Sequence, residues 1–393
     1  MPIDANLTDC LPSDAARALL IGRVWMPDRG GPCVAALRGG ELVDLTSRWP
    51  TVAELMNTLD LAALRAAVAA APALGTLDAI AANGELSGRD ASRPFLLAPC
   101  DLQAIKASGV TFVTSLLERV IEERARGNPG AAEAIRRDLV MAIGQDLETV
   151  VPGSPTAAAL KDALVAKGMW SQYLEVGIGP DAEIFTKAPP MAAVGHGAEI
   201  GIHPASTWNN PEPEVVLVVN AAGRIVGATL GNDVNLRDFE GRSALLLGKA
   251  KDNNASTSIG PFIRLFDDHF TLASVSQADV KLSVLGEDQF RLSGLNSMRR
   301  ISRTPKDLVR ATFGAHHQYP DGFVLFLGTM FAPVEDRDAP GKGFTHKIGD
   351  LVTIETPSLG RLVNRVNHCT KIAPWTFGAG ALMRNLAKRG LLN

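Results

Sequence analysis

The spacing of apolar positions changes character along the chain. In the first ninety residues a hairpin pattern at 33–45 turns on Gly39-Gly40, and alanine-rich helical stretches follow at 60–71 and 77–82. The segment 83–94 carries Gly84, Gly88 and Pro94 and reads as a linker, which predicts a domain boundary there. Beyond it, Phe112, Leu116 and Val120 interleave with Glu118, Glu122 and Arg126 at helical spacing, predicting one amphipathic helix over 111–126. Two further helices are expected at 131–143 and 155–166, separated by Val150-Val151-Pro152-Gly153. After Trp170 the pattern shortens to runs of Val, Ile, Leu and Phe bounded by Gly, Pro, Asn or Asp. It predicts strands at 173–178, 199–203, 214–220, 224–230, 280–285, 323–327 and 351–356. The expectation is an α+β protein: a small N-terminal α/β domain at 1–93 and a larger β-rich domain at 94–393, with a helical insertion at about 124–170.

Composition narrows the class. Among 393 residues, 46% are hydrophobic and 21% charged, near the averages of folded globular chains, so disorder and coiled coil are disfavoured. Thirty-nine Lys and Arg stand against 42 Asp and Glu with no basic stripe, so nucleic acid is not an expected partner. Cys10, Cys33, Cys100 and Cys369 form no close pair, which argues against a zinc ribbon or disulfide framework and for a reducing cytoplasm. The apolar stretch 66–74 is short and holds Pro72, and Asp4, Asp9 and Asp14 stand where a signal peptide carries basic residues. Neither secretion nor a membrane span is expected. Gly195-His196-Gly197 and Gly341-Lys342-Gly343 lack the spacing of nucleotide-binding loops and read as turns.

The densest chemistry lies at 208–219. Pro211 and Pro213 mark the entry to an apolar strand, and period-two geometry turns Glu212 and Glu214 to one face. Like charges there call for a cation, because adjacent carboxylates raise each other's pKa. The turn Asn220-Ala221-Ala222-Gly223 leads back along 224–230, returning Asp233 toward the start of the first strand. Three hard oxygen ligands, with positions left for water and substrate, suit Mg²⁺ or Mn²⁺ better than Zn²⁺. A solvated Glu-Xaa-Glu face is the alternative reading.

Further motifs follow in order. Asn232-Asp233-Val234-Asn235-Leu236-Arg237-Asp238 precedes Lys251, which stands nine residues before Gly260 in Ile259-Gly260-Pro261, and Gly328-Thr329 and Gly349-Asp350 come later. In these motifs the chain resembles the fumarylacetoacetate hydrolase family over roughly 94–366. The resemblance implies a fumarylacetoacetate-hydrolase-like catalytic domain, self-association as a homodimer or homotetramer, and Mg²⁺ (or Mn²⁺) held by Glu212, Glu214 and Asp233. The family's hydrolases carry Gly-Xaa-Asn-Tyr-Xaa-Xaa-His-Xaa-Xaa-Glu; in the same register this chain has Ser115 at the His position and Glu118 at the Glu position. A hydroxyl lacks the basicity of an imidazole, so hydrolytic C–C cleavage is not expected. The runs 109–112, 170–175, 183–187 and 194–197, with Trp208 and Pro211 to Glu214, resemble instead the family's 2-keto-3-deoxy sugar acid dehydratases.

That branch implies a small 2-keto sugar acid as substrate, with a 2-keto-3-deoxypentonate losing water to give 2,5-dioxopentanoate. Lys251, Glu183 and Glu118 are the candidate proton carriers, and Ser115, Thr329 and Arg237 the candidate substrate contacts. Each has a structural alternative: a solvated helix-end lysine for Lys251, a salt bridge for Glu183, an exposed helix face for Glu118. For Thr329 it is a turn hydroxyl, and for Arg237 the orienting of Asp233. The pair His316-His317 has no catalytic place. An acylpyruvate hydrolase or decarboxylase of the same family is the second reading.

Overall fold

The stretch Pro213–Val219 is buried at every position, as a strand covered on both faces must be. Its side chains alternate between two cores. Val215, Leu217 and Val219 pack with Val280, Leu282, Val352 and Ile354 on one face. Val216 and Val218 pack with Ile263, Val324 and Phe326 on the other, under the helices Val52–Asn57 and Leu61–Ala70. Each such side chain contributes about 1.5–3 kcal/mol relative to exposure, so this strand anchors the molecule. The computed structural model describes residues 6–126, 128, 130–132, 134–137, 150–331, 333–339 and 342–392.

Pro213–Val219 lies in an 11-stranded sheet. It pairs antiparallel with Ile225–Asp233 and with Phe323–Phe326. Beyond Phe323–Phe326 come Ala104–Ser108, in parallel, and Ile184–Ala188 at the edge. On the other side Thr257–Leu265 pairs with Ile225–Asp233 and then with Leu20–Met26. The N-terminal segment therefore continues the same sheet, through the hairpin Gly31–Arg38 and Glu41–Asp44. Its turn places Gly39 at φ 56° and Gly40 at φ 93°, a pair of left-handed positions suited to glycine. A second, five-stranded sheet holds Glu199–Ile202, Asp279–Leu285, Arg291–Ser297, Leu351–Thr356 and Gly360–His368 and packs on one face of the first.

Helices form at Val113–Arg124 and at Pro155–Ala166, the latter capped by the Ser154 hydroxyl on the Ala157 N–H. Of the helix expected over 131–143, residues 133 and 138–143 lie outside the described residues; 131–132 and 134–137 are helical. The strand expected at 173–178 is instead the helix Gln172–Ile178, and the reason is burial. Tyr173, Leu174, Gly177 and Ile178 are buried, at spacings of one and four, and the Ser171 hydroxyl caps the Tyr173 N–H. The β-prone residues that drew the strand reading are answering to a helix-packing face, where a Cβ on Gly177 would meet Leu116 at 2.7 Å. Among the described residues no helix is long and apolar enough to cross a membrane.

Candidate active site

The hairpin Pro213–Val219 with Ile225–Asp233 sets the geometry. Pro213 pairs with Asn232, and the Asp233 N–H donates to the Glu212 carbonyl at 3.0 Å, so the two ends meet. Glu212, Glu214 and Asp233 are all buried, and one carboxylate oxygen from each lies within 4.8 Å of the others. Glu214 accepts from the Gly328 N–H at 2.7 Å and from the Thr329 hydroxyl at 3.3 Å, which ties the adjacent strand end into the group.

Cations arrive from three other segments. Lys251, on the short helix Leu247–Lys251, donates from Nζ to Glu212 Oε2 and, at 3.1 Å, to Asp233 Oδ2. Lys187, fully buried on the edge strand Ile184–Ala188, stands 2.9 Å from Asp233 Oδ1 and donates to the carbonyls of Val234 and Lys251. Arg119, on the Val113–Arg124 helix, pairs with Glu212 Oε1 and with Glu122 at 2.7 Å. Burial opposes the charge of Asp233, but Lys187 and Lys251 outweigh it and hold the carboxyl below its usual range. Burial, with Asp233 and Glu212 beside it, pushes Glu214 well above that range. Lys251 is held as an ammonium, because Asp233, Glu212 and Glu240 outweigh its burial. Three converging carboxylates with no thiol or imidazole among them are the donor set of a hard divalent cation, whose charge would oppose the upward push on Glu214.

Beside the triad is a cavity of about 10 Å³, room for about one water. It is lined by Glu212, Asp233, Lys251, Glu183, Ser115, Thr329, Arg119 and Glu240 among others. Larger cavities of about 260 and 450 Å³ lie elsewhere and do not include the triad. Glu183 has its room because residue 109 is glycine: a Cβ there would fall 1.8 Å from Glu183 Oε2. Burial of the Glu183 carboxyl pushes it above the usual carboxylate range, with Arg119 and Lys251 acting the other way. Ser115 is buried and donates to the Phe112 carbonyl at 2.9 Å. Lys249 is exposed and stacks over Phe239, and the exposed His316 and His317 lie outside the cavity lining.

Glu118 and Arg237 lie elsewhere. Glu118 is buried rather than on an exposed helix face, and it does not line the cavity. It is clamped by Arg136 at 2.8 Å and Arg237 at 2.9 Å, and the two guanidiniums outweigh its burial and hold it below the usual range. Arg237 also spends its Nε on Glu122 at 2.6 Å and its Nη1 on the Pro333 carbonyl at 3.1 Å, with its plane over Trp208. Its side chain makes no ion pair with Asp233 among the described residues, and it is not part of the cavity lining. Alternating charges thus run from Glu212 through Arg119, Glu122 and Arg237 to Glu118 and Arg136.

Three lining or supporting groups escaped the sequence reading: Arg119, Lys187 and Glu240. Glu240 closes the turn that starts at Asn232. It is buried, its Oε2 stands 3.5 Å from Arg119 Nη1, and burial pushes its carboxyl up to about 7. Lys187 sits in the 183–187 run already singled out, but a lysine on an edge strand gives no sign by itself of pointing inward.

The family described as fumarylacetoacetate (FAA) hydrolase C-terminal matches residues 166–367, more than half of the chain. A 2-dehydro-3-deoxy-D-arabinonate dehydratase of Saccharolobus solfataricus is 33% identical over 194 residues, covering 48% of this chain and 60% of that one. A probable 2-keto-3-deoxyxylonate dehydratase of Haloferax volcanii is 30% identical over 198 residues, covering 50% of this chain and 64% of its own length. The matches thus span less than two thirds of either relative. The solved structure of a 2-keto-3-deoxy-D-arabinonate dehydratase complexed with magnesium and 2,5-dioxopentanoate superposes with a TM-score of 0.57 at 20% identity, covering 89% of this chain and 99% of that one. A fumarylacetoacetate hydrolase from Exiguobacterium antarcticum does so at 0.54 and 16%, covering 89% and 100%. At such identities the likeness speaks to the fold.

Proposed function

The chain belongs to the fumarylacetoacetate (FAA) hydrolase C-terminal family, and from that premise we propose that it is a divalent-metal-dependent dehydratase converting a 2-keto-3-deoxypentonate to 2,5-dioxopentanoate and water. The observation that carries the reading is the cavity itself. It joins Glu212 and Asp233 of the carboxylate triad to Lys251 and Glu183 and has Ser115, not an imidazole, in its wall. The two dehydratase names among the relatives agree with it.

Glu212, Glu214 and Asp233 would hold Mg²⁺ or Mn²⁺, which when bound supplies a Lewis acid for the C1 carboxylate and C2 carbonyl of a 2-keto acid. The chain supplies the proton traffic. Lys251 Nζ, next to two of the ligands, moves the C3 proton; the carboxylates that otherwise hold it as an ammonium would be engaged by the cation, which frees the amine to take that proton. Glu183 gives a proton to the C4 hydroxyl as it leaves, and burial that keeps its carboxyl above the usual range favours a donor. Lys187 keeps Asp233 and the Lys251 backbone in register. Thr329 fixes Glu214. Ser115 keeps the wall neutral and small. After elimination, loss of a C5 proton and gain of one at C3 give the C4–C5 enol, and transfer of its O–H proton to C4 gives the aldehyde, so one water is the only by-product. In the same reading the enzyme works in the cytoplasm, consistent with four free cysteines, and as a homodimer or homotetramer.

The test is a Mg²⁺-dependent assay on D- and L-2-keto-3-deoxypentonates with products identified by mass. One water lost and a dioxo acid formed are expected. Pyruvate with glycolaldehyde would mean an aldolase, and turnover of acylpyruvates instead would mean a hydrolase.

A further inference from the structure

Glu240 has no part in the chemistry above, yet it reaches the same cavity. Its side chain is buried, and Oε2 makes no hydrogen bond among the described residues. The nearest cation cannot satisfy it. Arg119 commits Nη2 to Glu212 and Nη1 to Glu122 at 2.7 Å, leaving Glu240 at 3.5 Å, close enough for charge but not for a hydrogen bond. A buried carboxylate oxygen without a donor is costly, so an oxygen with no protein donor, on a residue that lines a cavity with room for about one water, points to a donor from solvent that a hydroxyl of the ligand replaces on binding.

The ligand's own charge says which of its groups that is. The C1 carboxylate of a keto acid is drawn to cations and repelled by a further carboxylate, and the C2 carbonyl is an acceptor like Glu240 itself. Only hydroxyls can donate, and of the two on a 2-keto-3-deoxypentonate the C4 hydroxyl leaves during reaction. The geometry points to Glu240 Oε2 as the acceptor for the substrate's C5 hydroxyl, which makes Glu240 the specificity residue for 2-keto acids with a hydroxylated tail. The inference rests on the dehydratase reading and deepens it. Arg119 acts as a positioning residue, holding Glu240 and Glu212 from one guanidinium.

The test compares kcat/KM for the 2-keto-3-deoxypentonate with that for 4-hydroxy-2-oxopentanoate, which keeps the leaving C4 hydroxyl and lacks only the C5 hydroxyl. Wild type should prefer the pentonate by on the order of 10², the loss expected when one hydrogen bond to a charged group is removed. Glu240→Ala should bring that ratio close to one. Glu240→Gln, whose amide oxygen still accepts, should fall in between, and it decides the matter should the alanine variant not fold. A merely structural Glu240 would lower both substrates together, and an unchanged ratio in Glu240→Gln and Glu240→Ala overturns the inference while the dehydratase reading stands. Equal use of both substrates by wild type does the same. Wild type that dehydrates neither overturns the dehydratase reading, and the inference with it.

Discussion

Replacing Lys251 by Met removes one ammonium from between Glu212 and Asp233 while keeping the length and apolar bulk of the side chain. In wild type Lys251 is buried and touches both carboxylates. Without it Glu212 retains Arg119 and Asp233 retains Lys187, but Glu214, already pushed up by burial and by both neighbours, loses the positive charge that opposes that push. Removing one partner of a buried ion pair typically costs about 3–5 kcal/mol, so the metal-free variant should melt well below wild type. A divalent cation supplies charge to the same carboxylates. Saturating Mg²⁺ should therefore raise the melting temperature of Lys251→Met by more than it raises that of wild type. Turnover behaves differently: losing a proton-transfer group costs about 10² to 10⁴ in rate, about 2.7–5.5 kcal/mol of barrier, and Mg²⁺ should not restore it. Thermal unfolding in chelator and in Mg²⁺, with steady-state rates at saturating Mg²⁺, measures both halves. Wild-type turnover in a metal-loaded Lys251→Met enzyme would remove Lys251 from the mechanism and leave Glu183 as the proton carrier on the cavity.

For the triad, chelator should abolish turnover and Mg²⁺ or Mn²⁺ restore it, and Glu214→Gln should bind Mg²⁺ more weakly by titration calorimetry; full affinity in that variant would argue against Glu214 as a ligand. Ser115→His must fit an imidazole beside a cavity of about 10 Å³. It should cost about 1–3 kcal/mol in overpacking and lower dehydration at every Mg²⁺ concentration, whereas an undiminished rate would mean the wall yields. The buried His196 ring accepts from the Val363 N–H at Nδ1 and reaches the Leu7 carbonyl from Nε2, and burial pushes its pKa down to about 4. The unfolded chain takes up that proton near pH 6.5 and the folded one only near 4. The contribution is therefore complete above about pH 6.5 and lost as pH falls toward 4, at most about 3 kcal/mol. Wild type should lose stability across that window more steeply than His196→Gln in urea titrations, and parallel slopes would refute the assignment.

The fold was legible wherever one segment carried its own periodicity. The helix Pro155–Ala166 and the strand Leu351–Thr356 fall on the residues their patterns indicate, because a capping serine with a following proline, or a run of apolar β-formers ended by a turn, acts locally. Tyr173–Ile178 shows the limit. Six residues of β-prone composition fit either period, and only the helix Val113–Arg124, which they pack against, decides between them. Leu20–Met26 shows another. Its pairing with Thr257–Leu265 joins residues more than 230 positions apart, and no local pattern carries such a partner.

The site divides along the same line, by sign of charge. Its anionic half was legible because Glu212, Glu214 and Asp233 sit on one hairpin, where period two and a short turn bring them together without help from the rest of the chain. Its cationic half comes from Arg119, Lys187 and Lys251 on two helices and an edge strand; Lys251 has a motif spacing that gives it a role, Lys187 lies in a matching run that gives it none, and Arg119 lies in neither. On an amphipathic helix, Glu118, Arg119 and Glu122 all read as polar face. The fold buries all three, turning Arg119 to the cavity and Glu118 to Arg136 and Arg237. That choice follows from where the compensating charge lies. The triad brings an excess of negative charge into the buried interior, and burial on that scale is tolerated only where cations converge. Position 119 has Glu212 within reach, while a glutamate at position 118 pointed the same way would add a further carboxylate to a site where repulsion already raises Glu214. The register of the Val113–Arg124 helix over the hairpin thereby satisfies both the pairing of Arg119 with Glu212 and the burial of Leu116 and Val120.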